Sequence, residues 1–82
     1  MKTQLKKAGL DEVRLAATTL ILAEGFTTTL CVKDFLRKRN YLAQREHIAD
    51  WLYAVAKQEG WAVNDNGLFR IFHFPRLKPQ LQ

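Results

Sequence analysis

Residues that end helices divide this chain into short segments, and this division limits the folds it can adopt. Gly25 and Gly60 each follow a stretch with apolar residues at helical spacing, and Asn40 follows a third such stretch. Glycine and asparagine adopt the left-handed conformation that ends a helix more readily than other residues. Asn66 and Gly67 then stand between two apolar stretches, a strong short-range signal for a β-hairpin. The pattern predicts an α+β fold with three helices followed by a hairpin.

Apolar spacing predicts the extent of each helix and the side that is buried. The first helix is expected to begin at Asp11, whose carboxylate can cap it, and the second to span residues 31–39. Residues 27–30, three threonines followed by Leu30, predict a short edge strand, although one of the threonines is also placed to cap the second helix. In the third helix, residues 44–59, a turn of about 100° per residue sets an inward and an outward face. The inward face carries Ile48, Trp51, Leu52 and Val55, and the outward face carries Glu46, Asp50, Tyr53 and Lys57.

The hairpin is predicted to turn at Asn66 and Gly67 in a two-residue type I′ turn. This register makes both faces of the hairpin apolar. One face carries Trp61, Val63, Leu68, Phe72 and Phe74, and the other carries Ala62, Phe69 and Ile71. The second face is therefore either covered by another part of the chain or an interface.

The chain is predicted to form one folded domain between two flexible ends. With 82 residues, it can bury one modest core. We expect a flexible basic N-terminal arm over residues 1–10, the domain over residues 11–75 and a flexible tail over residues 76–82. The single cysteine excludes an internal disulfide, and a reducing cytoplasmic location is expected. The apolar run in the first helix is too short to cross a bilayer, so no membrane contact is expected.

The residues that carry enzyme chemistry are scarce or separated. The chain has no serine, and its two histidines, His47 and His73, belong to different predicted elements. Cys31 falls on the apolar stripe of the second helix, where a lone cysteine is expected to be a small buried hydrophobe. The four glycines are dispersed, so no phosphate-binding loop can be built from them. We expect no catalysis, no metal, no cofactor and no small-molecule substrate.

The order of the predicted elements resembles that of the winged helix-turn-helix superfamily. The resemblance covers about residues 11–75 and is carried by element order and by residues 40–43, which stand where that superfamily has its turn. It implies a three-helix winged helix-turn-helix with a C-terminal β-hairpin wing and a short strand between helices 1 and 2. It also implies DNA binding, with residues 44–59 in the major groove and residues 64–67 at the tip of the wing.

The cationic side chains predict where a nucleic acid would bind. The chain has 13 Lys or Arg against 8 Asp or Glu, a formal charge of +5. Around the second helix and the start of the third, the candidate phosphate contacts are Lys33, Arg37, Lys38, Arg39 and Arg45. Arg70, with Arg76 and Lys78, forms a possible second strip, and the N-terminal lysines a third. About five phosphate contacts would give a slope near −4.5 for log affinity against log salt. The alternative to nucleic-acid binding is that these residues only form the solvent-exposed faces of helices.

Candidate base contacts lie at the start of the third helix. Gln44, Arg45 and His47 have side chains that can reach base edges, although Gln44 is equally placed to cap the helix. In the hairpin, Asn64 and Asn66 either donate to phosphate or only form the turn. The acidic Glu46 and Asp50 would repel phosphate, which argues against the third helix as the reading helix, although a carboxylate held at a base edge can accept from the amino group of cytosine.

Two hypotheses for function follow. The first is a non-catalytic DNA-binding protein, such as a transcriptional regulator or an accessory factor, with RNA left open as the ligand and a homodimer expected to add specificity. The alternative is a protein-interaction or homodimerisation module of the same fold, with no nucleic-acid ligand. It would bind through Tyr53, Ala54 and the second hairpin face.

Overall fold

A computed structural model gives the structure of residues 6–75. The elements in chain order are β1 (Lys6–Lys7), α1 (Leu10–Glu24), α2 (Thr29–Lys38), β2 (Tyr41–Leu42), α3 (Arg45–Glu59), β3 (Ala62–Asp65) and β4 (Arg70–His73). The fold is α+β, with three helices and an antiparallel hairpin of β3 and β4, as the sequence predicts. The short strands β1 and β2 are not predicted by the sequence pattern.

The first helix begins before the predicted cap at Asp11. Gly9 occupies the N-cap position, and its backbone N–H donates to the Glu12 carboxylate at 2.8 Å. Asp11 lies in the first turn of α1, where its negative charge interacts favourably with the free amides. At the other end, Gly25 adopts the predicted left-handed conformation with φ 91° and donates to the carbonyl of Ile21. The side chain that caps α1 is therefore that of Glu12, whereas the predicted capping residue is Asp11.

The second helix begins at Thr29, two residues earlier than predicted. The Thr28 hydroxyl accepts a hydrogen bond from the backbone N–H of Cys31 at 3.2 Å, which makes Thr28 the N-cap. Cys31 is exposed, although it was expected on the apolar stripe. Val32 and Leu36 form the buried side of α2.

Replacing Thr28 with alanine is expected to destabilise the fold by about 1 kcal/mol, because the first turn of α2 loses its side-chain cap. Urea unfolding followed by circular dichroism measures this difference. Thr29→Ala is the matched control, since it removes a hydroxyl one residue later and leaves the cap in place. Equal losses in the two variants would show that the cap bond does not stabilise the helix.

The core forms where the three helices meet the hairpin. Ile48, Leu52 and Val55 of α3 are fully buried, as predicted, and Trp51 is half-buried. Phe72 of β4 is the largest fully buried side chain. The outward side chains of α3 are all exposed, as predicted: Glu46, Asp50, Tyr53 and Lys57. Burial of one side of α3 thus fixes which of its residues face solvent.

The connection between α2 and α3 pairs with β1, near the start of the chain. Asn40 ends α2 in the left-handed conformation, with φ 67°. The chain then enters β2, which pairs in parallel with β1, so that Lys6 lies opposite Tyr41 and Lys7 opposite Leu42. Residues 6 and 7 fall in the predicted flexible arm, so regular structure begins before residue 11. Residues 1–5 and the predicted tail, residues 76–82, lie outside the described range.

The hairpin has the predicted position but a different turn. The last strand pair is Asp65 with Arg70, which leaves a four-residue loop, and only Gly67 of the predicted turn pair has a positive φ. The Asn66 side-chain oxygen accepts from the backbone N–H groups of Leu68 and Phe69, at 2.9 and 3.0 Å. These bonds stabilise the longer loop in place of the type I′ turn. Leu68 and Phe69 therefore lie in the loop, and neither lies on the hairpin face to which it was assigned.

The predicted short strand between α1 and α2 is reduced to a single bridge. Thr27 pairs with Phe72 of β4, and each backbone N–H donates to the other residue's carbonyl at 2.8 Å. Thr27 is fully buried. The bridge joins the α1–α2 connection to the hairpin.

Candidate nucleic-acid interface

A groove forms where α2 faces the start of α3. Lys33 and Arg37 lie one turn apart on α2 and so share one side of that helix. β2 then returns the chain so that α3 starts beside them. The groove has a volume of about 440 Å³. It is called the basic groove here, and its polar lining consists of Lys33, Arg37, Tyr41, Gln44, Arg45 and Glu46.

The cations of the basic groove have no anionic partner among the described residues. The salt bridges found in residues 6–75 involve Arg14, Lys38 and Arg70, and none involves Lys33, Arg37 or Arg45. Among residues 6–75, Glu46 is the one carboxylate in the groove lining. Three cations against one carboxylate give the groove a positive potential, which favours an anionic ligand.

Gln44 is placed for a contact other than capping. It occupies the N-cap position of α3, but its side chain makes no capping hydrogen bond. The carbonyl of Gln44 accepts from the N–H of Ile48, so the backbone starts the helix without help from the amide side chain. The Gln44 side chain is exposed and lines the basic groove. Its donor and acceptor therefore face the same space as Arg45.

Lys38 and Arg39 lie on other sides of α2, away from the basic groove. Lys38 forms a salt bridge with Asp34 at 3.1 Å, one turn earlier on the helix. The Arg39 guanidinium lies 4.2 Å from the centre of the Phe35 ring and borders a cavity against α1. The five cations predicted as one cluster are thus divided, with three in the groove and two outside it.

Three other predicted contacts also lie outside the basic groove. His47 is exposed, with its ring centre 5.6 Å from that of Trp51. Asn64 is exposed on β3, opposite Ile71. The side-chain oxygen of Asn66 is used within the hairpin loop, in agreement with its alternative role as a turn former.

A second cavity separates the hairpin loop from the helices. It has a volume of about 610 Å³ and lies between the first turn of α2, the first half of α3 and the loop. This apolar cleft is lined by Leu30, Ala49, Leu68 and Phe69, with Arg45 and Arg70 also in its lining. Arg45 lines both cavities, so the apolar cleft and the basic groove adjoin.

Arg70 is held at the base of the hairpin loop. Its Nε lies 3.4 Å from the Asp65 carboxylate, and its guanidinium lies 5.3 Å from the centre of the Tyr53 ring on α3. The hydrogen bond from the backbone N–H of Gly67 lowers the pKa of Asp65, and Arg70 lowers it further. Asp65 is therefore ionised at neutral pH, and its charge is balanced locally by Arg70.

Sequence reasoning missed the apolar lining of the cleft. Leu30 was assigned to a strand and Phe69 to a sheet face, whereas both line the cleft. The wrong turn type explains the error at Phe69. A two-residue turn would have placed Phe69 in a strand, whereas the four-residue loop contains it. A sequence signal was available in Asp65 and Asn66, since both residue types bond to nearby backbone N–H groups and favour longer turns.

Other kinds of site find no support in the described part of the chain. No group of three or more His, Cys, Asp and Glu side chains within residues 6–75 is placed to hold a metal ion. In the same range, no helix combines the length and apolarity needed to cross a bilayer. Comparison of the chain with protein-family models, with curated proteins and with solved structures found no match.

Proposed function

We propose that this chain is a small, non-catalytic winged-helix protein that binds duplex DNA, as a transcriptional regulator or an accessory factor does. The observation that supports this proposal is the basic groove, in which Lys33, Arg37 and Arg45 converge without anionic partners among the described residues. Unpaired cations that converge on one surface attract the closely spaced phosphates of a duplex and displace their counterions.

The arrangement of elements supports the choice of DNA as the ligand. In a winged helix, the helix after the turn enters the major groove and the hairpin contacts the neighbouring backbone. Here the groove lies at the start of α3, and Arg70 lies at the hairpin on the adjoining cleft. Phosphates of one strand can therefore contact α2, α3 and the hairpin together.

The proposed approach of DNA is toward the first turn of α3. Glu46 lies in this first turn and lines the basic groove, where three cations outnumber it. Asp50 is exposed about one turn further along the outward side, where it repels phosphate. Gln44 and Arg45 precede them and carry the side chains suited to adenine and guanine edges. In this binding mode Gln44 contacts a base edge, and the phosphate contacts are Lys33, Arg37, Arg45 and Arg70.

A titration of fluorescently labelled duplex DNA tests the proposal. The groove variant carries Lys33→Ala, Arg37→Ala and Arg45→Ala, and the charge-matched control variant carries Lys38→Ala, Arg39→Ala and Lys57→Ala. Both variants lose three positive charges, but only the first loses the basic groove. At about 50 mM salt, the groove variant is expected to bind at least about tenfold more weakly than the control.

Two results of this titration contradict DNA binding at the groove. One is an absence of wild-type binding at low salt, and the other is an equal loss of affinity in both variants, which would mean that only net charge matters. Circular dichroism of each variant establishes that it is folded. A single-stranded RNA of the same length, titrated in parallel, distinguishes the proposed ligand from the other nucleic acid.

The second candidate function is a protein-interaction or homodimerisation module. One observation favours it, which is the group of exposed apolar side chains formed by Leu30, Leu68 and Phe69. Of the surface predicted for this function, Ala62 and Ile71 share one face of the hairpin. Phe69 lies in the loop, and Tyr53 is bordered by Lys57 and Arg70. A concentration-dependent dimer in light scattering, with no duplex binding, would favour this candidate.

A further inference from the structure

We infer that Leu68, in the hairpin loop, is an apolar wedge that inserts between base pairs of the bound duplex and bends it. The inference rests on the proposed function and adds to it a specific mode of binding. A protein that acts in this way is selective for base steps that unstack easily, in addition to any selectivity from contacts with base edges.

Within residues 6–75, no packing contact of the core explains the Leu68 side chain. It is 85% exposed, and the neighbouring Phe69 is 48% exposed. The hairpin already supplies Phe72 to the core, where that side chain is 1% exposed. A loop of this length needs only polar turn residues, so two consecutive large apolar side chains at its end indicate contact with something outside the described residues.

The loop that carries Leu68 is braced by its own hydrogen bonds. Asn66 accepts from the backbone N–H groups of Leu68 and Phe69, and Asp65 accepts from that of Gly67 at 2.9 Å. The Asn66 N–H donates in turn to the Phe69 carbonyl at 3.3 Å. A loop braced in this way loses little conformational entropy on binding, which an inserting residue requires.

The charges around the cleft favour DNA as its occupant. Arg45 lines it and continues into the basic groove, with no anionic partner among the described residues. Arg70 also lines it and is paired with Asp65. A second copy docked symmetrically through this surface would bring two Arg45 side chains to one interface, which is unfavourable. A duplex strand that crosses the cleft instead places phosphates near both arginines and its sugars and bases near Leu68.

Insertion of apolar side chains is a known way to deform a duplex. Proteins that place leucine, phenylalanine or similar side chains at a base step of the minor groove partly unstack it and kink the DNA by about 20–90°. Leu68 meets the chemical requirement, and Phe69 beside it provides apolar surface for the displaced base.

Bending is measured by energy transfer between dyes at the two ends of a duplex of about 20–30 bp. Wild-type protein is expected to shorten the end-to-end distance and raise transfer. Leu68→Ser is expected to bind the duplex through the groove cations but to leave transfer at the level of free DNA. Leu68→Met, which keeps an apolar side chain of similar volume, is expected to retain the bend.

The matched control is Leu22→Ser, because Leu22 is 73% exposed and lies on α1, outside the groove and the cleft. This variant is expected to bend DNA as the wild type does. Wild-type binding without bending would overturn the wedge and leave the proposed function intact. An absence of binding would overturn both. A wild-type dimer that Leu68→Ser dissociates would also overturn the wedge, since the loop would then be an interface between copies.

Discussion

Replacing Phe72 with alanine is expected to destabilise the fold by about 3–5 kcal/mol. Phe72 is 1% exposed and is the largest fully buried side chain of the described structure, so its removal leaves a cavity that the surrounding helices fill only partly. Small domains have free energies of unfolding of about 5–15 kcal/mol, and this loss is a large part of that total. Urea unfolding followed by circular dichroism measures the change.

Phe69→Ala is the control for this prediction. Phe69 lies three residues earlier in the chain and is 48% exposed, so the same substitution removes a side chain that contributes little to the core. Its effect is expected to be within about 0.5 kcal/mol. A loss in Phe72→Ala no larger than in Phe69→Ala would contradict the described position of β4 against the helices.

The salt dependence of DNA binding is expected to report four phosphate contacts: Lys33, Arg37, Arg45 and Arg70. Four contacts give a slope of about −3.6 for log affinity against log salt, and affinity then falls about 150-fold between about 50 and 200 mM. In the groove variant one contact remains, so the slope is expected to be near −0.9 and the fall about 3.5-fold. Fluorescence titrations at several salt concentrations measure both slopes.

The charge-matched control variant decides whether the slope reflects contacts or overall charge. Its three substituted cations, Lys38, Arg39 and Lys57, lie outside the basic groove, so its slope is expected to equal that of the wild type. A slope reduced equally in both variants would contradict the assignment of contacts. A wild-type slope near −4.5, the value expected for about five contacts, would indicate that Lys38 or Arg39 also contacts phosphate.

The helices could be predicted from sequence because their signals are local. Ile48, Leu52 and Val55 repeat at helical spacing, and Gly25 and Asn40 stop helices through their own backbone preferences. The pairing of β1 with β2 could not be predicted, because it joins two-residue strands more than thirty positions apart. Pairs so distant in the chain depend on packing that no short window of sequence records.

The candidate site was predicted by residue type and corrected by geometry. The charge run from Lys33 to Arg45 identifies the region, but a helix distributes successive residues around its axis. Lys33 and Arg37 therefore share one side, whereas Lys38 and Arg39 turn toward Asp34 and Phe35. The apolar cleft was missed for a different reason, because the hydrogen bonds of Asn66 selected a longer turn than its pairing with Gly67 suggests.

The double hydrogen bond between Thr27 and Phe72 has a mechanical consequence. It fastens the base of the hairpin to the segment that leads into α2, at a fully buried position. The bridge therefore restrains rotation of the hairpin about its base relative to the helices. If the chain bends a duplex as proposed, a restrained hairpin keeps its position, and the change of shape falls on the DNA.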